Sequence, residues 1–256
     1  MANTVISLTT IPSRIQDLHI TMDSLLCQTY PVDKIILNVA ESYRRFPHVA
    51  ISEYKHIFDK YAENPKIHVN YCQDYGPATK ILPLLEERFN TIIGEHTKIV
   101  FLDDDRKYDA DIVERLCKQS ENYPDHCICI SIWDTCSIDE KYRYTHTLQP
   151  RSTSDRDPGY GDIFLGCNGV LVKKNMLLGH NFDYHVQRCP QLFFQDDFFL
   201  SAILACNKVN IFTTIGRFAD ATQNAYRDEL YWINTKQNYI ICMDYLVNEF
   251  PIWKDA

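Results

Sequence analysis

The chain has 256 residues, a formal net charge of -8 and a sequence pI of about 5.6. This length fits one large α/β domain, and the acidic balance argues against nucleic acid as a partner, because a phosphate backbone requires a basic face. No apolar stretch approaches the roughly 20 residues of a membrane-spanning helix, and the N-terminus lacks the basic segment of a signal peptide.

The composition also predicts a cytoplasmic location. The chain has ten cysteines, but none forms a C-x-x-C pair, and several lie in apolar runs, where free cysteine packs as a small hydrophobic residue. Low glycine and frequent Ile, Asn, Lys and Tyr hint at an AT-rich genome, such as that of a microbe or a large virus. For a virus, the location would be the host cytoplasm.

The first hundred residues alternate between strand and helix patterns, which predicts a mostly parallel sheet flanked by helices. In chain order the expected elements are a strand at Val5–Leu8, a helix with apolar positions from Leu18 to Leu26, a strand at Lys34–Val39, a helical region at about Ser52–Ala62, a strand at Lys66–Tyr71, a Gly-Pro turn at Asp74–Lys80 that precedes a helix, and a strand at Ile99–Leu102.

The second half continues with strands but contains more breaks. The expected elements are a helix from Asp111 through Leu116, a strand at Cys127–Trp133, a polar loop at Arg151–Gly161 that could act as a lid, a strand at Ile163–Val172 interrupted at Gly166–Gly169, a helix from Phe198 through Leu204 that follows Gln195-Asp196-Asp197, a strand at Val209–Thr213, and a closing helix at Tyr231–Phe250.

Three consecutive aspartates, Asp103, Asp104 and Asp105, directly follow the strand at Ile99–Leu102. Open α/β sheets bind ligands beyond the carboxyl ends of their strands, and a divalent cation would remove the mutual repulsion of clustered carboxylates. Strand alternation predicts that Asp103 and Asp105 share one face and that Asp104 lies on the other. The alternative is a solvated turn, since aspartate also binds nearby backbone N–H groups.

Four segments occur in an order that resembles the nucleotide-sugar-dependent glycosyltransferases of the GT-A fold, close to the family-2-like group. They are Leu8–Arg14, Asp74–Lys80, Phe101–Asp105 and Gln195–Leu200. The third resembles the D-x-D metal motif and the fourth resembles the later acidic motif. The chain departs from the family pattern by having Asp196-Asp197 in place of Glu-Asp, and no histidine follows His185.

The resemblance implies roles for nine residues. Asp197 is expected to be the general base, with Asp196 as the second candidate. Mn²⁺ or Mg²⁺ is expected to bind Asp105 directly, and Asp103 is expected to face the nucleotide ribose or the metal through water. The donor nucleotide-sugar is expected to contact Thr10, Arg14, Asp74, Lys80, Asp103 and Asp104.

Simpler structural roles remain open for several of these side chains. Asp74 could form an Asx turn, Lys80 could be a solvated lysine at a helix terminus, and Arg14 could pair with Asp17 at the surface. Asp196 and Asp197 could cap a helix that starts at Phe198.

The expected function is metal-dependent transfer of a sugar from a nucleotide diphosphate sugar, with UDP favoured, to a hydroxyl acceptor such as a glycan, with inversion. The fold implied is a single GT-A (Rossmann-like) domain over residues 1–256, with a nucleotide-binding half at 1–125 and an acceptor half with a smaller mixed sheet at 126–256. A retaining transferase and an inactive sugar-nucleotide-binding protein are the alternatives. A third class is a metal-dependent phosphatase or nucleotidyltransferase. Lys107 at the fifth position argues against a D-x-D-x-[TV] phosphatase loop, and the chain has neither a Gly-rich phosphate loop nor a G-x-x-x-x-G-K-[ST] motif.

Overall fold

The structure is a computed structural model that describes residues 3–133, 151–152, 158–216, 219–222, 230 and 236–253. The centre of the expected lid loop, 153–157, and the start of the expected closing helix, 231–235, lie outside the described residues. The described helices include none that is long and apolar enough to cross a membrane.

Within the described residues, thirteen strands form three sheets. In chain order they are β1 (Thr4–Thr9), β2 (Lys34–Ala40), β3 (Ile67–Cys72), β4 (Lys98–Phe101), β5 (Arg106–Lys107), β6 (Cys127–Cys129), β7 (Ser131–Trp133), β8 (Arg151–Ser152), β9 (Tyr160–Gly161), β10 (Ile163–Phe164), β11 (Val170–Lys173), β12 (Ile211–Thr213) and β13 (Asp220–Ala221). The α-helices found in the same part of the chain are α1 (Leu18–Leu26), α2 (Lys55–Ala62), α3 (Ile112–Asn122), α4 (Phe182–Arg188), α5 (Asp196–Cys206) and α6 (Lys236–Glu249).

The main sheet has eight strands in the order β3-β2-β1-β4-β11-β6-β12-β9. The first four strands, β1 to β4, all run parallel to one another. Strand β11 runs antiparallel to β4 and β6, and β12 is parallel to β6. The carboxyl ends of the first four strands therefore meet at one edge. The expected fold class, a central mostly parallel sheet flanked by helices with smaller sheets beside it, is confirmed.

Helices cover both faces of this sheet because apolar side chains alternate along its strands. In β1, Ile6 and Leu8 pack with the cluster that contains Leu18 and Met22 of α1, whereas Val5 packs with the opposite cluster, which contains Leu200 of α5. The core thus consists of two apolar layers separated by the sheet, and the sheet edge between them is available for polar groups.

Two expected elements differ from the structure. The run Cys127–Trp133 is two strands rather than one, because the chain changes sheets at Ile130: β6 lies in the main sheet and β7 pairs with β8 and β10. The segment after the Gly-Pro turn forms short 3-10 turns at Ala78–Lys80 and Leu82–Leu85 instead of an α-helix. Pro83 has no N–H to donate and clashes with the preceding turn of an α-helix, so the longer helix does not form.

Candidate functional site

A cavity of about 380 Å³ opens at the carboxyl edge of the main sheet. Loops that follow β1, β2, β3 and β4 all contribute to it, as expected for a ligand site in an open α/β sheet. The residues that line it are Thr9, Thr10, Ile11, Arg14, Tyr43, Arg45, Phe46, Asp74, Gly76, Pro77, Asp103, Asp104, Asp105, Arg106, Phe193 and Leu230.

Arg14 joins two of the three aspartates. Its Nη1 lies 2.9 Å from Oδ1 of Asp104 and 2.9 Å from Oδ2 of Asp105, and the Thr10 hydroxyl donates to the other Asp104 oxygen at 2.6 Å. Burial alone would lower the pKa of Arg14, but Asp104 and then Asp105 outweigh it, so the pKa is raised and the guanidinium stays charged. Arg14 is therefore a component of the cavity.

The third aspartate belongs to a different ion pair. Lys80 is buried, and its Nζ lies 2.7 Å from Oδ1 of Asp103 and 2.9 Å from Oδ2 of Asp196. Burial alone would lower the pKa of Lys80, but Asp103, Asp196 and Asp197 together raise it well above its usual value. Lys80 is absent from the cavity lining within the described part of the chain, so it lies beneath Asp103 and is not a solvated lysine.

These contacts correct the expected arrangement of the triplet. Strand β4 ends at Phe101, so the alternation of a strand does not extend to the aspartates. Asp104 and Asp105 share Arg14, and Asp103 pairs with Lys80. The triplet is therefore a turn whose members do not all face the same cation.

Asp105 retains a carboxylate oxygen suited to a metal ion. Its Oδ1 is buried and has no hydrogen-bond partner among the described residues, and Nε of Arg106 lies 3.5 Å away. Burial raises the pKa of Asp105 to about 7, and Asp103 and Asp104 add to the rise, although Arg14 opposes it.

No group of three or more His, Cys, Asp or Glu side chains in the described segments is arranged to hold a metal by itself. Mg²⁺ and similar hard cations are often held by one or two carboxylates together with substrate phosphates. The unpartnered Asp105 oxygen, with Asp103 nearby in the cavity lining, fits that mode of binding.

The acid pair lies at the start of α5. The helix begins at Asp196, and the side chain of its N-cap residue, Gln195, makes no capping hydrogen bond. The alternative in which the two acids precede and cap a helix starting at Phe198 is therefore not realised, because both acids belong to the first turn of the helix. Their side chains have other partners: Asp196 faces Lys80, and Oδ1 of Asp197 accepts a hydrogen bond from the N–H of Gly166 at 3.0 Å.

The surroundings of Asp197 raise the pKa of its carboxyl group. Burial raises its pKa well above the usual value and Asp196 adds to the rise, whereas Lys80 lowers it by a smaller amount. A carboxyl group with a raised pKa binds a proton at a pH closer to neutrality. Its side chain lies outside the cavity lining found in the described residues, and the adjacent Asp196 is connected to Asp103 through Lys80.

Asp74 both lines the cavity and shapes its loop. Its Oδ1 accepts from the N–H of Gly76 at 2.8 Å, and its Oδ2 accepts from the N–H of Arg44 at 2.7 Å. The Asx-turn alternative is therefore realised at this carboxylate, which also joins the loops after β2 and β3.

Gly76 is required at its position for two reasons. Its φ of 61° is unfavourable for residues with a side chain, and an added Cβ would lie 2.2 Å from the backbone oxygen of Phe193. The loop after β3 thus contacts the segment that leads into α5, and this close approach closes one side of the cavity.

Several cavity residues were missed by the sequence reasoning. Tyr43, Arg45 and Phe46 follow β2, and the Tyr43 hydroxyl donates to the backbone oxygen of Thr10 at 2.8 Å. The rule that ligands bind beyond the carboxyl ends of strands indicates the loop after β2 as well as the loops after β1, β3 and β4, which contain the predicted residues. Phe193 had no comparable signal, because it precedes a helix and reaches the cavity only through tertiary packing.

No protein-family model and no curated protein sequence matches this chain. Among solved structures, S. aureus TarS residues 1-349 in complex with UDP matches with a TM-score of 0.56 and 11% identity, over 96% of this chain and 65% of that one. The mannosyltransferase PcManGT from Pyrobaculum calidifontis, in complex with GDP-Man and Mn²⁺, matches with a TM-score of 0.54 and 14% identity, over 90% of this chain and 59% of that one.

A third structure, 4-diphosphocytidyl-2C-methyl-D-erythritol synthase, matches with a TM-score of 0.52 and 10% identity, over 94% of this chain and 100% of that one. The chain therefore spans less than two thirds of the TarS and PcManGT chains but all of the synthase. At these identities the likeness shows the fold, which is GT-A-like.

Proposed function

We propose that this protein is a metal-dependent, inverting glycosyltransferase that moves a sugar from a nucleotide diphosphate sugar, with UDP as the favoured nucleotide, to a hydroxyl group of an acceptor such as a glycan. The observation that carries the proposal is the convergence of Thr10, Arg14, Asp74 and the triplet on one cavity, with a carboxylate of raised pKa behind it at Asp197. The neighbours crystallised with UDP and with GDP-Man and Mn²⁺ support the choice of donor.

The donor is expected to bind with its nucleotide in the cavity. Asp74 and Tyr43 lie where loops from neighbouring strands meet, and aromatic and apolar side chains such as Phe46 and Phe193 offer surfaces for a base. Arg14 and Arg106 carry positive charge next to the triplet, where the diphosphate would add negative charge. The mixture of positive and negative side chains favours an anionic ligand that binds together with a metal cation.

Mn²⁺ or Mg²⁺ would be held by Asp105, through its unpartnered oxygen, and by Asp103. A metal ion in that position supplies Lewis-acid stabilisation of the negative charge on the diphosphate. Asp104 keeps Arg14 and Thr10 in place and so shapes the donor side of the cavity rather than the metal side.

The chemical step needs one proton acceptor. As the acceptor oxygen forms its bond to the anomeric carbon, the bond from that carbon to the diphosphate oxygen breaks, and the hydroxyl proton passes to Asp197. The N–H of Gly166 orients the Asp197 carboxylate, and burial raises the pKa of this carboxyl group, which strengthens it as a base. Asp196 forms an ion pair with Lys80 and is therefore only the second candidate for the general base.

The test is a panel of nucleotide diphosphate sugars and nucleoside triphosphates, with and without Mn²⁺. Binding to the folded state raises the melting temperature, so we expect a UDP-sugar with Mn²⁺ to stabilise the protein, and UDP to be released once an acceptor is present. Product NMR should show an inverted anomeric centre.

Each other result contradicts part of the proposal. A retained anomeric configuration would indicate a retaining enzyme. Donor binding without turnover over a broad acceptor panel would indicate a binding protein. Pyrophosphate release from a nucleoside triphosphate and a sugar phosphate would indicate a nucleotidyltransferase, and the absence of stabilisation by any nucleotide sugar would remove the proposal.

A further inference from the structure

A buried tyrosine hydroxyl connects two turns that flank the candidate site. Tyr108 is 4% exposed, and its hydroxyl oxygen accepts a hydrogen bond from the N–H of Asp103 at 2.9 Å. The same oxygen lies 3.2 Å from the carbonyl oxygen of Asp103 and 3.1 Å from that of Cys167, and its single proton is shared between these two acceptors. The hydroxyl therefore holds the aspartate turn against the Gly166–Asn168 turn.

The second turn leads directly to Asp197. The N–H of Gly166 donates to Oδ1 of Asp197 at 3.0 Å. An added Cβ on Gly166 would lie 2.8 Å from that oxygen and 2.8 Å from Nζ of Lys80, so the backbone approaches both groups as closely as packing allows. Any shift of this turn would move the Asp197 carboxylate.

Asp103 and the acid pair are thus connected by two routes. One is ionic and runs through Lys80, from Asp103 to Asp196. The other is uncharged and runs through Tyr108 and the Gly166–Asn168 turn to Asp197. The uncharged route uses a rigid ring and backbone groups, which have few rotatable bonds and hold a distance better than a lysine side chain does.

We propose that Tyr108 is a positioning residue, whose hydroxyl sets the separation between Asp103 on the donor side and Asp197 on the base side. The kinetic consequence rests on the proposed function, because it matters only if Asp197 accepts the acceptor proton. The structural consequence does not, because the two turns should separate in any variant without the hydroxyl.

The first experiment is hydrogen exchange on Tyr108→Phe, which removes one oxygen and keeps the ring. The amide of Asp103 loses its acceptor, and we expect the amide of Gly166, which does not contact Tyr108, to exchange at least about tenfold faster as the turn loosens. Tyr245→Phe is the matched control, since it removes a hydroxyl that lies 2.9 Å from Nδ1 of His185 on α4. Wild-type exchange at Gly166 in Tyr108→Phe would overturn the proposal.

The second experiment compares kcat and KM for the donor that the nucleotide-sugar panel identifies. We expect Tyr108→Phe to lower kcat by about 10- to 100-fold, the cost of misplacing reacting groups, with the donor KM within about twofold, since Tyr108 does not line the cavity in the described structure. Tyr245→Phe should keep both constants. An unchanged kcat, or a raised KM with kcat retained, would contradict the positioning role.

A third variant protects the test against misfolding of Tyr108→Phe. Gly166→Ala displaces the same turn from its other end and should lower kcat with the donor KM retained; full kcat in this variant would also count against the proposal. If the wild-type protein turns over no nucleotide sugar, the proposed function fails, and the exchange rates at Gly166 still decide whether Tyr108 holds the turns together.

Discussion

Nζ of Lys80 lies 2.9 Å from Oδ2 of Asp196, although Lys80 belongs to the loop after β3 and Asp196 to the first turn of α5. The same nitrogen lies 2.7 Å from Asp103, so one buried cation serves carboxylates from both parts of the candidate site. The cavity and the acid pair are therefore electrostatically coupled, and a change of charge at one alters the energy of the charges at the other.

Lys80→Met should destabilise the fold strongly. It would leave Asp103 and Asp196 facing each other without a cation, and breaking a buried ion pair in this way costs about 3–5 kcal/mol. Denaturant unfolding measures the loss. Lys55→Met is the matched control, because Lys55 forms an exposed pair with Asp59 and its removal should leave the free energy of unfolding nearly unchanged. Equal stabilities of the two variants would contradict the buried pairing.

Asp197→Asn should become more stable than the wild type as the pH rises. The folded-state pKa of Asp197 is raised above an unfolded value of about 3.9, so the carboxyl group favours the folded state fully below the unfolded pKa, and this contribution is lost as the pH rises through the folded pKa. Asparagine carries no such penalty and keeps an oxygen for Gly166.

Thermal unfolding between pH 5 and pH 8 checks this prediction, with the melting-temperature difference between Asp197→Asn and wild type expected to widen toward pH 8. Asp125→Asn changes an exposed aspartate and should show no such trend. The same Asp197→Asn variant should lose transfer activity while still binding donor. A constant difference across the pH range would mean that Asp197 is not desolvated.

Asp105→Asn should weaken the effect of Mn²⁺ on donor binding by at least about tenfold, because it removes the charge from the carboxylate whose Oδ1 has no hydrogen-bond partner in the described structure. Donor titrations followed by melting temperature, with and without Mn²⁺, measure this. Asp59→Asn, at an exposed position, is the control. If Mn²⁺ enhances donor binding equally in Asp105→Asn, the metal is held elsewhere.

Gly76→Ala should lower stability by more than about 1–2 kcal/mol, since strain at positive φ is combined with a Cβ only 2.2 Å from the Phe193 carbonyl oxygen. Two other glycines separate these causes. Gly179→Ala has a φ of 99° and open space, so it should show strain alone, and Gly159→Ala has neither cause and should be nearly neutral. If Gly76→Ala lowers the free energy of unfolding no more than Gly179→Ala does, the Phe193 backbone moves away from the added Cβ without loss of stability.

Most of the first half of the fold follows from local sequence. Strands such as Val5–Leu8 and Ile99–Leu102 are short apolar runs of β-branched residues, and such runs predict buried strands wherever they occur. The positions of Thr10, Asp74 and the triplet at one sheet edge follow from the same reasoning, because parallel strands bring their carboxyl ends together. The break at Ile130 did not follow, since sheet switching depends on pairing partners distant in sequence. The 3-10 turns after Gly76 were missed although Pro83 disfavours a long α-helix at this point of the sequence.

Local sequence alone indicated Arg14, Asp74 and the triplet as residues of the cavity, because each follows a strand whose pattern is readable by itself. Tertiary structure alone decided their partners: Arg14 binds Asp104 and Asp105, Lys80 binds Asp103 and Asp196, and Tyr108 joins Asp103 to Cys167. Ion pairs and hydrogen bonds act over a few ångströms in space, and residues far apart along a chain come within that distance only after the layers have packed.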